Sequence, residues 1–407
     1  MVTQMFGVQI RESVQTLRQA LTSPSRVGLI GTLSGEKASE ALNDGSVVHF
    51  AHAGDALSAL TPDDGSTPTG TLWQMLHDVR ARTNGEVLLL KVADLANPAG
   101  GGSSAINDNA SKFSRPSAYV DTSGSEAQLQ RPTYLAAIDA TVARTDEADL
   151  NTAFNTDAAG NFAALEAEAE RIRAVVIGTS PVIGDTIGTQ RNNAIAYARN
   201  NRHNRAVLLD RRVGANPGMD PAAAIAATLM ARDHDVGVGA YNLDRTEVNG
   251  IGQVYPKYEY ELGGPLYASS DGKFLQEENI VQIARITGFQ LVGSKMNVGT
   301  TSEGHTASPL DYFHAVRTSD TVYQTLLLQA NGFFGGFIDG ILLADFQSSV
   351  QAQLNDLIDL GSLTDGSATI NEAATSGGRA VYDIELHFPQ VPEKLEFDVA
   401  YDINAVA

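Results

Sequence analysis

The sequence predicts an α/β protein: a mostly parallel sheet in its N-terminal and central part, joined to an α+β C-terminal part that terminal strand arms complete. Three observations predict this. Strand-length apolar blocks alternate with helical repeats between residues 26 and 241, the βαβ rhythm of a sheet with helices on both sides. That rhythm stops after Gly263-Gly264. Both chain ends carry the period-2 alternation of strands that bury one face.

Taken in order, Phe6, Val8 and Ile10 alternate with Gly7, Gln9 and Arg11. This predicts a short strand with no local hairpin, whose partner lies elsewhere. Ser13 to Leu21 reads as a short helix stopped by Thr22-Ser23-Pro24. Val27–Gly31 and Ser46–Phe50 are strand-like, and Thr71–Arg82 is an amphipathic helix with Leu72, Met75, Leu76 and Val79 on one face. Glu86–Ala93 is a continuous apolar run, the mark of a strand covered on both faces. From Asn97 to Asn161 regularity fades; this stretch reads as a surface excursion holding one short apolar block, Tyr134–Ile138.

Order returns with a helix over 162–173, a strand over 174–178, a helix over 190–200 and a strand over 205–210. Asp220-Pro221 then opens a helix through Met230, with an acid at the cap and Pro at the first helical position. A strand over 236–241 follows. Further on, 279–286 and 289–293 read as strands, and 321–330 as a helix capped by Ser319 or Asp320. Residues 346–360 form a strong amphipathic helix ended by Gly361. Tyr382, Ile384, Leu386 and Phe388 then alternate with polar residues, and so do Leu395, Phe397, Val399, Tyr401 and Ile403, almost to the last residue.

Composition bounds the function. With 407 residues, 43% apolar and 19% charged, the chain is globular. Its 48 acids against 28 bases give a net charge of -20, which disfavours a polyanionic partner. Cysteine is absent, so disulfides, thiolate catalysis and Cys-ligated zinc are excluded together. The N-terminus has no basic stretch followed by a long apolar one, so no signal peptide is expected. The most apolar window, 326–346, carries Asp339, Asp345 and four glycines, which predicts a break between buried helices rather than a membrane span.

Few residues suggest catalysis. Gly28, Gly31 and Gly35 follow a strand without the G-x-G-x-x-G spacing, so close strand packing is their expected role. Gly178-Thr179-Ser180-Pro181 and His305 distantly resemble the serine and histidine segments of a subtilase, but no segment supplies a convincing acid. Asp233-His234-Asp235 offers metal-ligand types, yet adjacent side chains at a helix–strand junction diverge. Ser180 and Asp210 fall at the carboxyl ends of parallel strands, where open α/β sheets bind ligands. They carry the competing reading, an α/β hydrolase or transferase with a pocket near both. A secreted structural protein is a third reading, opposed by the missing export signal. No cofactor, metal or catalytic site is expected.

Several stretches match, in order, those of contractile-tail sheath proteins, and the chain resembles that family across most of its length. Gly7–Glu12 precedes Ser25–Thr32, and Asp78 leads to Lys91-Val92-Ala93, which resembles a V-R-V-like strand end. Pro221 to Asp233 ends in Ala231-Arg232-Asp233, similar to an A-R-x-D-like segment. Tyr241-Asn242 and Asn249–Gly252 resemble S-P-S-N-like and G-I-x-G-like stretches, without the usual Trp and Pro. Asn279–Gly293 is similar to an I-N-x-I-R strand and its sequel, Phe313–Thr318 to a V-R-R segment, and Pro392–Phe397 to the closing P-A-E-x-I-x-F strand.

The resemblance implies a subtilisin-like sheath domain over 23–263 with a variable insertion near 97–161. It further implies an α+β domain over 264–392 and arms at 1–22 and 393–407. Function would be structural. Subunits stack as hexameric rings around an inner tail tube, with baseplate and tail terminator proteins as further partners, in a virion tail assembled in the host cytoplasm. The acidic helix region 347–360 is the implied tube contact. Phe6, Val8 and Ile10 would enter one neighbour's sheet, and Leu395, Phe397, Val399, Tyr401 and Ile403 another's. Backbone ladders would hold these strands while alternate side chains fix their register. The plain alternative is that the terminal strands pair within their own subunit.

Overall fold

A computed structural model describes residues 3–5, 8–10, 25–37, 42–92, 109–114, 119–120, 131–137, 158–180, 186–210, 221–241, 243–244, 246–248, 274–285, 289–333, 340–373, 375 and 380–390. Its centre is a nine-stranded sheet. In chain order the strands are β3 (Val27–Gly31), β4 (Val47–Phe50), β5 (Val87–Lys91), β6 (Tyr119–Val120), β7 (Tyr134–Ala137), β8 (Val175–Thr179), β9 (Ala206–Leu209), β10 (Ile280–Arg285) and β11 (Phe289–Val292). Two short strands at the N-terminus, β1 (Thr3–Met5) and β2 (Val8–Ile10), stand apart from it. Across the sheet the order is β11-β10-β9-β8-β7-β3-β5-β4-β6. Six of its eight pairings are parallel; β4–β5 and β10–β11 are antiparallel.

Alternation within each central strand feeds two cores. Val27, Leu29, Val87, Leu89, Tyr134, Ala136, Val175 and Ile177 face one way, onto α1 (Ala53–Leu60), α2 (Thr71–Arg82) and α5 (Ala222–Val236). Ile30, Leu88, Leu90, Leu135, Ala137, Val176 and Ala206 face the other, onto α3 (Ala158–Ile172). On that second face Leu208 and Ile280 pack against α4 (Ile187–Asn200). Val87, Leu88, Leu89 and Leu90 are all fully buried, which is why no polar residue interrupts that run. Gly28 and Gly31 serve packing, as expected. A Cβ at Gly28 would lie 2.8 Å from Leu135, and one at Gly31 2.7 Å from the Leu72 nitrogen.

A smaller unit follows. Helix α6 (Phe313–Phe333) begins in the first core, where Phe313 and Val316 are buried, and ends in another with Val322. That core also holds Val350, Leu354 and Leu357 of α7 (Gly340–Asp359). A two-stranded antiparallel ribbon, β12 (Asp365–Ile370) and β13 (Tyr382–His387), covers α7. Helix α6 therefore acts as a strut from the large sheet to the ribbon.

Several expectations are corrected. Val8–Ile10 does have a local partner: β1 and β2 form an antiparallel hairpin with Met5 opposite Val8 and Thr3 opposite Ile10. The stretch from 97 to 161 is not wholly a surface excursion, since its apolar block forms β7, fully buried between β3 and β8. With two alanines in four residues, β7 carries little strand signal of its own. Residues 236–241 are not a strand. Helix α5 runs on to Val236, and Gly237 and Gly239 then adopt φ of +108° and +71°, outside any ladder geometry. Close approach also demands Gly239, because a Cβ there would sit 1.9 Å from Thr318 Oγ1.

Pro221, not Asp220, occupies the cap position of α5, with no side-chain cap. Helix α6 starts eight residues earlier than expected, so Ser319 and Asp320 lie inside it; Asp320 is buried in an ion pair instead of capping. Strands β10 and β11, expected with the C-terminal part, extend the large sheet through Ile280 beside Leu208. Strand β12 was not expected, because its inward residues are Gly366 and Ala368. The segments 13–21 and 391–407 lie outside the described residues.

Candidate assembly interface

The ribbon β12–β13 is a two-stranded sheet packed on α7. Along β13, Tyr382, Ile384 and Leu386 are half-buried toward α7 while Asp383, Glu385 and His387 are exposed, so one face is fixed by packing. Tyr382 further donates its hydroxyl to the Leu343 carbonyl at 3.1 Å. Among the described residues β12 and β13 pair only with each other. The outer edge of β12 is met by α7: Gln347 and Gln351 donate to the Ala368 and Gly366 carbonyls, each at 2.9 Å, and Gln351 Oε1 accepts the Ala368 N–H at 3.1 Å. Among the described residues no strand pairs with the outer edge of β13. The hairpin β1–β2 is likewise a two-stranded sheet by itself. Of the residues expected to enter neighbouring sheets, Val8 and Ile10 lie in β2. Phe6, Leu395, Phe397, Val399, Tyr401 and Ile403 lie outside the described residues.

The enzyme-like candidates are held by hydrogen bonds within the chain. Ser180 and Asp210 do end adjacent parallel strands, but both are buried. Their N–H groups continue the ladder, to the carbonyls of Leu209 and Val281, each at 2.8 Å. His305 Nε2 lies 3.0 Å from Asp311, which also accepts from the Ser308 N–H at 2.9 Å, so this pair clasps its own loop. Asp233 is buried while His234 and Asp235 are exposed, and no three-residue metal-binding group occurs among the described residues. No helix among them is long and apolar enough to cross a membrane.

Asp233 instead centres a buried polar knot that sequence reasoning missed. Its Oδ2 accepts from Ser25 at 2.5 Å, from the Tyr134 hydroxyl at 2.6 Å and from Arg317 at 3.2 Å. Its Oδ1 accepts from the Tyr241 hydroxyl at 2.9 Å. Burial, then the Asp233 charge, holds both tyrosines above the usual phenol range, so they remain donors. Burial alone would depress the Arg317 guanidinium; Tyr134, Asp233 and Asp320 outweigh it and hold Arg317 above its ordinary value. Asp320 in turn accepts from Arg205 at 2.5 Å. Two acids and two guanidiniums thus cancel inside the protein. The only hint in the sequence was that Asp233 and Arg317 each sit in a stretch resembling the sheath family.

A second buried acid has no such partner. Glu166 on α3 is 4% exposed, and burial pushes its carboxyl up to about 9. The nearest imidazole, His203, is 4.0 Å away, but its Nδ1 accepts the Arg205 N–H at 3.1 Å and so offers Glu166 no proton. A carboxyl raised on folding stabilises fully below its unfolded value near pH ~4.3, and that stability is lost as pH rises toward 9. Glu166→Gln is therefore expected to raise stability at pH 8. It should also flatten a slope of at most about 1.4 kcal/mol per pH unit, measured by urea unfolding at pH 5, 6.5 and 8. An unchanged slope would show that Glu166 ionises freely.

With these sites in place, comparison with solved structures is decisive for the fold. A chain of the six-fold symmetrised anti-feeding prophage baseplate matches with a TM-score of 0.65 at 14% identity, covering 99% of this chain and 100% of that one. The anti-feeding prophage helical sheath in its contracted state matches with 0.63 at 13% identity over 98% and 100%. The fold is that of a contractile-sheath subunit. A sheath tail protein from Desulfitobacterium hafniense also matches, with a TM-score of 0.53 at 11% identity over 96% and 100%. No family model and no curated protein matches the sequence.

Proposed function

We propose that this chain is the structural, non-enzymatic subunit of a contractile sheath. It polymerises as stacked hexameric rings around an inner tube and contracts to drive that tube through an envelope. One observation carries the reading: fold likeness runs end to end, with 98% of this chain and 100% of the partner covered, against a protein solved as a contracted helical sheath. Supporting it are the outer edge of β13, with which no described strand pairs, the two-stranded hairpin β1–β2 and the ten-residue alternation near the C-terminus.

In this reading the terminal strands add to neighbouring subunits' sheets, and the subunits rotate as rigid bodies while segments such as Pro389–Pro392 absorb the change. The tube contact falls to α7, whose sequence carries Asp345, Asp356 and Asp359 and no basic residue. Baseplate and terminator proteins bound the polymer, in a virion tail assembled in the host cytoplasm. The test is size and shape. Sedimentation and negative-stain electron microscopy of the purified chain are expected to show long cylinders with six-fold end views. A small closed oligomer at every concentration would contradict the proposal.

A further inference from the structure

The segments that become arms in the proposed polymer meet the folded body at Ser25 and Pro389, and both roots end on one turn of α6. On the N-terminal side, Ser25 donates to Asp233 Oδ2, the same oxygen that Arg317 holds, and Arg317 reaches Ser25 Oγ itself at 3.5 Å. Next to it, the Arg26 N–H donates to Thr133 Oγ1 at 2.7 Å, and its carbonyl accepts from the Thr133 and Tyr134 N–H groups at 2.8 and 3.0 Å. On the C-terminal side, His314 Nε2 lies 3.0 Å from the Pro389 carbonyl. A carbonyl only accepts, so His314 donates through Nε2–H.

His314 and Arg317 are three residues apart on a helix, so their side chains leave adjoining points of one face, about 5–6 Å between Cβ atoms. Both are buried, at 3% and 2% exposure. The turn that carries them is clamped. The Phe313 N–H donates to the Ser294 carbonyl at 3.0 Å, and Gly239 approaches so closely that a Cβ would lie 3.1 Å from the His314 carbonyl.

We propose that the first turn of α6 is a shared anchor for the roots of both arms, with His314 and Arg317 as positioning residues. Pull on one arm then reaches the other through a rigid, buried point. The inference deepens the sheath reading and rests on it for the load, but the anchor itself is a property of the single subunit. Burial keeps His314 below the ordinary imidazole range, which favours the neutral donor form.

Hydrogen exchange on the full-length monomer tests the anchor, using His314→Phe to remove the donor while filling the space, His314→Gln to restore a donor, and Ser25→Ala. His314→Phe is expected to speed exchange at residues 386–390 by about tenfold, and Gln to recover most of it, the size of one lost hydrogen bond. Ser25→Ala should do the same at residues 25–27, because Asp233 keeps Tyr134, Tyr241 and Arg317 as donors. In polymerising samples each variant should raise the critical concentration for assembly, and the double variant should raise it by less than the product of the two. Unchanged exchange in both segments overturns the anchor. Altered exchange with an unchanged critical concentration, in chains that do polymerise, overturns the shared load path. Should His314→Phe fail to fold, Gln and Ser25→Ala decide. If the wild-type chain never polymerises, the sheath reading falls, and with it the load path.

Discussion

Deleting Leu395–Ala407 is expected to leave a folded, soluble subunit with essentially no capacity to polymerise. Among the described residues the large sheet is covered by its own helices, and β12–β13 already packs on α7. What the deletion removes is a strand whose alternate residues, Leu395, Phe397, Val399, Tyr401 and Ile403, present one apolar face. Thermal unfolding should shift by only a few degrees, while pelleting and electron microscopy should show no cylinders. Loss of the monomer's own fold would mean that the strand completes its own subunit.

The second large effect falls on the polar knot. Arg317→Met should cost about 3–5 kcal/mol in urea unfolding, because it leaves the buried Asp233 carboxylate without its counter-charge. Asp233 would keep three hydroxyl donors but no cation. Adding Asp233→Asn to Arg317→Met removes the stranded charge and should recover part of the loss. A cost below about 1 kcal/mol for Arg317→Met would show that the knot is solvated and contributes little.

How much of this was legible in the sequence depended on how strongly each segment announces itself. Val87–Lys91 and Thr71–Arg82 were readable because their burial follows from an unbroken apolar run and a helical stripe. Strands β7 and β12 were not: the apolar block of β7 is half alanine, and the inward residues of β12 are Gly366 and Ala368, small side chains that carry little strand signal. The false strand over 236–241 came from Val236, Val238 and Ala240, which alternate in sequence; the glycines between them turn the chain instead. The polar knot was invisible for a different reason. Ser25, Tyr134, Arg317 and the Asp233–Tyr241 pair come from four separate stretches of chain, and only the fold brings them together. Its sequence trace was two short stretches resembling the sheath family.

In the proposed polymer the ends of the chain complete the ladders of other copies. A cryo-electron microscopy reconstruction of the assembled polymer, at a resolution that traces the main chain, tests it directly. Residues 8–10 and 395–403 are expected to be hydrogen-bonded to strands of two different neighbouring subunits. Continuous density placing both segments against the ribbon of their own subunit would contradict it.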